Sequence, residues 1–211
     1  VTVDGNVDMD VYGNGVTVTG DNSTVTLKKG GSITVPTGTK YGDYALAAYD
    51  GTINMNVEAT ANAVKIDGDI FALKGATVNL GLATNDSYLN GIIDNGGTAN
   101  LTLKNGATWT NLANNTRYGQ DNEDYGNGEQ SKVTLLTGGD SLAQAGTIIQ
   151  TANSKPLEIV KLSGAVHVKY YHDASDPTSI LGGYVEIAKA TQGSNICLIT
   201  NGGFDTANEE L

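Results

Sequence analysis

Two stretches of the chain, "VTLKKGGSITV" at 25–35 and "LTLKNGATWTN" at 101–111, carry one phrase. Each alternates apolar and polar residues, turns through a lysine and a glycine, and alternates again. They align without a gap, so that Thr102 falls on Thr26, Leu103 on Leu27, Lys104 on Lys28, Gly106 on Gly30, Trp109 on Ile33 and Thr110 on Thr34. Alternation with a period of two marks a strand with one buried face. Looser copies at 47–57, "AAYDGTINMNV", and 71–81, "FALKGATVNLG", keep the small-residue corner followed by Thr and an apolar residue. With strand ends at Leu27, Ala48, Leu73 and Leu103, the phrase recurs roughly every 20 to 30 residues, the range of repeat architectures.

Short alternating runs fill the first half: 24–27, 32–35, 44–48, 52–57, 63–66, 70–73 and 77–80, each bounded by Gly, Asn or Asp. Spacing of 3.6 is almost absent. Three such strands per repeat predict an all-β fold, a right-handed parallel β-helix with about three short strands per turn of 20–30 residues. A single turn buries too little apolar surface to offset the entropy of ordering it, so turns must stack and share a core. If the whole chain coils, about nine turns are expected, about 45 Å in all at strand spacing. Parity points Val, Ile and Leu inward and the intervening Thr outward, with Trp109 inward beside Ile33. An antiparallel sandwich uses the same short strands and glycine corners and is the competing fold.

Composition fits the thin core of such a coil. Apolar residues make up 39 % but aromatics only 6 %, and 28 Gly against 3 Pro supply turns without blocking ladders. The net charge of −11 with a single arginine, Arg117, argues against nucleic acid, which requires clustered cations. The one cysteine, Cys197, cannot form an internal disulfide and sits in an apolar alternation as a small core residue. No run is long and apolar enough for a spanning helix. The chain starts in mid-pattern without a signal peptide and stops at "FDTANEEL", where Thr206 and Glu209 form the capping box of an expected helix. It reads as a fragment of a longer protein.

The pattern breaks at 113–131, "ANNTRYGQDNEDYGNGEQS", which divides β-helix turns (1–112) from a continuing β-rich module (132–211) truncated at its end. In a solenoid an insertion of this kind leaves through a corner as a surface loop. Its candidate binding residues are Arg117, Tyr118, Asp121, Glu123, Asp124 and Tyr125: tyrosines for amphipathic contact, carboxylates for a basic partner. The stretch from Asp121 has Gly126 at the sixth position of a calcium loop, but Tyr125 at the fifth and Lys132 at the twelfth break the EF-hand pattern. Only a looser calcium site in 121–129 stays open, and no cofactor is expected.

From 132 the strands lengthen. "SGAVHVKYYHD", "DPTSILGG", "YVEIAKATQGSNICLIT" and "NGGFDT" resemble a module of autotransporter-type, hemagglutinin-like adhesins, the passenger regions of Gram-negative surface proteins. "NGATWTN" is similar to a Gly-Ala-x-Trp phrase of autotransporter β-helices. The resemblance covers most of the chain. It implies a secreted rod on the bacterial surface, anchored through an outer-membrane barrel outside this segment and attaching to a host or bacterial surface protein or glycan. It carries no catalytic residues to transfer.

Catalytic signals are weak. His167 faces outward and His172 opens a turn; five apart, they cannot chelate one metal together. No Gly-x-Ser-x-Gly elbow is present. Asp8 with Asp10, and Asp67 with Asp69, each place two carboxylates on one side of a short segment, as a glycosidase pair requires. β-Helix polysaccharide enzymes typically set Arg or Lys beside such carboxylates, and the lone arginine, Arg117, lies in the 113–131 insertion. The expectation is therefore a non-enzymatic adhesin segment, with a β-helix polysaccharide lyase or hydrolase and a structural spacer as rivals.

Overall fold

The computed structural model describes residues 1–35, 43–112, 130–176 and 179–200, and the backbone of 203–210. Strand accounts for 53 % and helix for 2 %, against about a third helix in an average globular protein.

The strands come in threes. The first set is β1 (Thr2–Val3), β2 (Val7–Asp10) and β3 (Val16–Val18). The second is β4 (Thr24–Leu27), β5 (Gly31–Thr34) and β6 (Leu46–Ala48), and the third β7 (Thr52–Met55), β8 (Val64–Asp67) and β9 (Ile70–Ala72). Then follow β10 (Thr77–Leu82), β11 (Tyr88–Gly91) and β12 (Ile93–Asn95), and β13 (Thr98–Leu103), β14 (Thr108–Asn111) and β15 (Ser131–Val133). The sixth set is β16 (Leu135–Thr137), β17 (Gly146–Gln150) and β18 (Leu157–Ile159). In the seventh, β19 (Leu162–Ser163) and β20 (Ala165–Lys169) are separated from β23 (Val185–Ile187) by a hairpin of β21 (Tyr171–His172) and β22 (Ile180–Leu181). The described chain ends with β24 (Asn195–Thr200) and β25 (Gly203–Glu210).

Successive strands join different sheets, and each fourth strand returns beside the first. The first sheet runs β1-β4-β7-β10-β13-β16-β19 and the second β2-β5-β8-β11-β14-β17-β20-β24-β25. The third sheet holds β3, β6, β9 and β12, and β15, β18 and β23 form a further sheet tied to it by the Ile93 amide, which donates to Ser131 Oγ at 3.2 Å. Pairing is parallel throughout these sheets except β24 with β25, which is antiparallel. This architecture is compatible with a β-solenoid. Among the described residues seven such sets form, where about nine turns were expected if the whole chain coiled.

Inward columns run through the stack. Met9, Ile33, Ile66, Leu89, Trp109, Ile148 and Val168 lie in register in the second sheet. Trp109 is fully buried, as its alignment with Ile33 implied, and its indole N–H donates to the Gly91 carbonyl at 3.0 Å. In β4, β7 and β13 of the first sheet the outward positions are Thr and Asn. Asn100 donates to Asn79 and Asn79 to Asn54, each at 2.8 Å, an amide ladder of the kind that regular parallel register permits.

Several sequence expectations need correction. The gapless alignment is right after its corner but slips by two before it. Leu27 stacks through Met55 and Leu80 onto Leu101, not Leu103. A slip of two keeps the inward parity, so the pattern could not reveal it. The looser copies at 47–57 and 71–81 belong to a different corner, between the third and first sheets. Phe71 faces outward, yet it is buried in a satellite cluster with Tyr44 and Tyr49, whose ring centroids lie 4.7 and 5.3 Å from its own. Cys197 is buried, but in the outward register beside His167 rather than in the core column. Thr206 and Glu209 lie in β25, not in a helix. A hydrogen-bonding edge on β24 holds the backbone extended there, overriding a local capping signal.

Candidate functional site

The links between strands are unequal. Those from the third sheet back to the first, such as 49–51 and 96–97, are short turns. Between described strands that belong to consecutive sheets of the stack, the three widest separations in sequence, 35–45, 112–130 and 170–184, all follow strands of the second sheet. This corner is the candidate site.

Two kinds of side chain build it. Where the link is short, the corner is glycine. A Cβ on Gly91 would lie 2.1 Å from the Gly68 carbonyl oxygen, so no larger residue fits while the turns stack this closely. One and two turns further on, side-chain amides stand in the place of this glycine. Asn111 and Gln150 follow Gly91 in the same inward column and are fully buried. The Asn111 amide donates to Gln150 Oε1 at 2.9 Å and to the Lys155 carbonyl at 2.7 Å, while Ser131 Oγ–H donates to Asn111 Oδ1 at 2.6 Å. Ser154 Oγ–H donates to the Asn111 carbonyl. Gln150 Nε2 donates to the Gly183 carbonyl at 3.0 Å. A buried polar network satisfied in this way fixes one geometry, because any displacement strands a donor or acceptor away from water.

The network pins the hairpin of β21 and β22. Gly182, at φ +93°, and Gly183 press against the 151–156 turn, where added Cβ atoms would lie 2.2 Å from the Thr151 oxygen and the Pro156 nitrogen. The Val185 amide donates to the Tyr170 hydroxyl at 3.2 Å; burial pushes that phenol up from its ordinary value. At the tip, Asp173 Oδ1 accepts from the Ser175 hydroxyl and amide at 2.6 and 2.8 Å, which holds its carboxyl below the usual range. On this braced base stand Ile180, 53 % exposed, and Tyr184, 61 % exposed. The Lys169 ammonium sits 5.2 Å from the Tyr171 ring centroid. Exposed apolar and aromatic surface on a rigid support is suited to contact rather than to proton transfer.

The residues singled out from the sequence, Arg117, Tyr118, Asp121, Glu123, Asp124 and Tyr125, and the candidate calcium stretch 121–129, lie outside the described residues. The hairpin escaped the sequence reading. Its signals were the Asp-Pro turn and Gly-Gly pair between the short apolar runs of "KYYHDASDPTSILGGY".

Of the two carboxylate pairs one stays on a common face and the other separates. Asp8 and Asp10 do share the exposed outer face of β2, and Ser32 donates to Asp8. Asp67 lies on the outer face of β8, taking hydrogen bonds from Tyr88 at 2.7 Å and Asn90 at 2.8 Å. The hydrogen bond it accepts raises the Tyr88 phenol above its ordinary value. Asp69 instead turns into the corner and accepts the Ile92 amide at 2.7 Å; Gly68, at φ +151°, reverses the chain between them. His167 faces outward on β20, where burial lowers its pKa, and His172 belongs to the hairpin. Among the described residues, no group of three or more His, Cys, Asp or Glu could hold a metal ion. No protein family, curated protein or solved structure matches the chain.

Proposed function

We propose that this chain is a non-catalytic binding segment of a bacterial adhesin of the autotransporter type. In this reading the sheets close into a right-handed parallel β-helix, displayed outside a Gram-negative cell and anchored through an outer-membrane part of the protein. The ligand is a host or bacterial surface protein or glycan. One observation carries the proposal: the three widest separations between strands of consecutive sheets all follow the second sheet, and buried amides brace that corner. Repeat proteins gather insertions on one face, and that face is commonly the binding face.

The test is to replace 114–130 by a short Gly-Ser link. The melting point should stay nearly unchanged, and binding to the ligand found in a glycan and matrix-protein screen should weaken at least about tenfold, or about 1.4 kcal/mol. Undiminished binding would move the contact to the hairpin or the strand faces. No binding to any member of the screen would favour a spacer. Release of products from polysaccharides, lost on Asp67→Asn, would favour an enzyme.

A further inference from the structure

Parted from Asp69, Asp67 meets Tyr88 and Asn90 of the next strand on the outer face of the second sheet. Tyr88 stands in register with Lys65, and Asn90 with Asp67. The Tyr88 hydroxyl, which donates to Asp67 Oδ2 at 2.7 Å, therefore crosses a diagonal. Diagonal neighbours in a sheet lie about 7–8 Å apart, a span that a tyrosine covers by leaning along the sheet. The half-exposed ring thus lies over the strands with one face to water. Among the described residues no other Phe, Tyr or Trp faces outward from β2, β5, β8, β11, β14, β17 or β20. Tyr88 is a single aromatic plate, pinned at its hydroxyl.

The groups around the plate specify what it takes. Asp67 accepts from Tyr88 and, at 2.8 Å on Oδ1, from the Asn90 amide. A carboxylate has about four acceptor sites, so both of its oxygens keep capacity for another donor. Asn90 Oδ1 accepts nothing among the described residues. Lys65, beside the plate, is exposed and makes no ion pair among them. Thr108 and Thr110 continue the face one turn further on.

Opposite charges side by side repel part of any strongly charged ligand: a polycation meets Lys65 and a polyanion meets Asp67. A neutral ligand rich in hydroxyls meets neither penalty. Each hydroxyl donates to the carboxylate or the amide oxygen, or accepts from the ammonium, and bonds to charged groups are the stronger ones. The ring in turn wants an apolar face. A pyranose with equatorial hydroxyls joins the two, since its polar groups lie along its rim and its axial C–H bonds cover its faces. A β-linked chain of such rings is flat enough to lie on a regular, in-register sheet.

We infer that the outer face of β8 and β11 binds a neutral β-linked glycan, one pyranose stacked on Tyr88 with its hydroxyls on Asp67 and Asn90. In naming a ligand class this rests on the binding reading above, but it needs nothing from residues 113–129.

Calorimetric titration of the full chain with cellohexaose, chitohexaose, hexagalacturonate and hexalysine tests the site. At least one neutral hexaose should bind, at least about tenfold tighter than the anionic and cationic probes. Tyr88→Ala should weaken that binding at least about tenfold with the melting point nearly unchanged. Tyr88→Phe, which keeps the ring and loses its tether, should fall between the two. In the unsubstituted chain the hexaose should shift the Asn90 side-chain signals of an amide correlation spectrum and leave those of buried Asn111 in place. The Tyr88→Ala loss should persist when 114–130 is replaced by a Gly-Ser link, which separates failure here from failure of the corner. The site is overturned if neither hexaose binds, if Tyr88→Ala binds as well as its parent, or if the Asn90 signals stay put. Hexalysine binding as tightly as the hexaoses would also overturn it and give Asp67 to a basic peptide.

Discussion

Gly91 and Asn111 are neighbours in one inward column, and they close the same corner by opposite means. At Gly91 the chain passes into the third sheet through Ile92 alone, and backbone atoms of adjacent turns come so close that even a methyl group is excluded. At Asn111 a side-chain amide occupies the corner and bonds the Lys155 carbonyl and the Ser131 hydroxyl. Gln150 adds a second buried amide one turn later, ahead of the shorter 151–156 link. The difference shows two ways to keep a corner: backbone packed on backbone, or side chains reaching across turns.

The sharpest way to break this comparison is Asn111→Leu. It removes the donor to Gln150 Oε1 and the acceptor for the Ser131 hydroxyl, and takes one of two side-chain donors from the Lys155 carbonyl; buried groups left unmade cost about 1–3 kcal/mol each. A loss of about 3–4 kcal/mol is expected, read as a lower urea midpoint at unchanged slope. A loss below about 1 kcal/mol would mean that water enters the corner and the amide is dispensable.

Gly91→Ala should come next. The added Cβ meets backbone oxygen and carbon of Gly68, which cannot swing aside as a side chain would. Overpacking of this kind costs about 1–3 kcal/mol, and a value near 3 is expected by the same denaturation experiment. A neutral result would show that the turns separate easily here and that the glycine reflects no packing constraint.

The smallest effect belongs to Asn79→Ala, in the middle of the outer ladder. It breaks two amide bonds, to Asn54 and from Asn100, but the ladder is half-exposed and water replaces what is lost. About 1 kcal/mol or less is expected. If Asn79→Ala destabilised as much as Asn111→Leu, burial would not be what separates the outer amides from those at the corner.

Much of this fold was legible in advance, and for a local reason. Whether a side chain points inward depends on its own strand's period of two, so the runs at 24–27, 52–57, 63–66 and 77–80 found β4, β7, β8 and β10, and Trp109 was placed under its stack by its neighbours alone. Of the candidate site only the existence of a long link after β14 could be read. The hairpin was hidden because its apolar residues, Ile180 and Tyr184, gain meaning from being exposed, and exposure is not written in a residue's identity.

The sequence by itself determined the strands, their inward faces and the thin aliphatic core, because each follows from alternation within a few residues. Only the tertiary structure decided which corner each glycine occupies, that Leu27 stacks above Leu101, that Asp67 and Asp69 part company, and that Asn111 reaches a carbonyl 44 residues away. Register between turns is set by the lengths of the links, which vary, and corners of the same composition look alike along the chain. The columns and the buried amide network exist only once those links have brought distant residues to the same height in the stack.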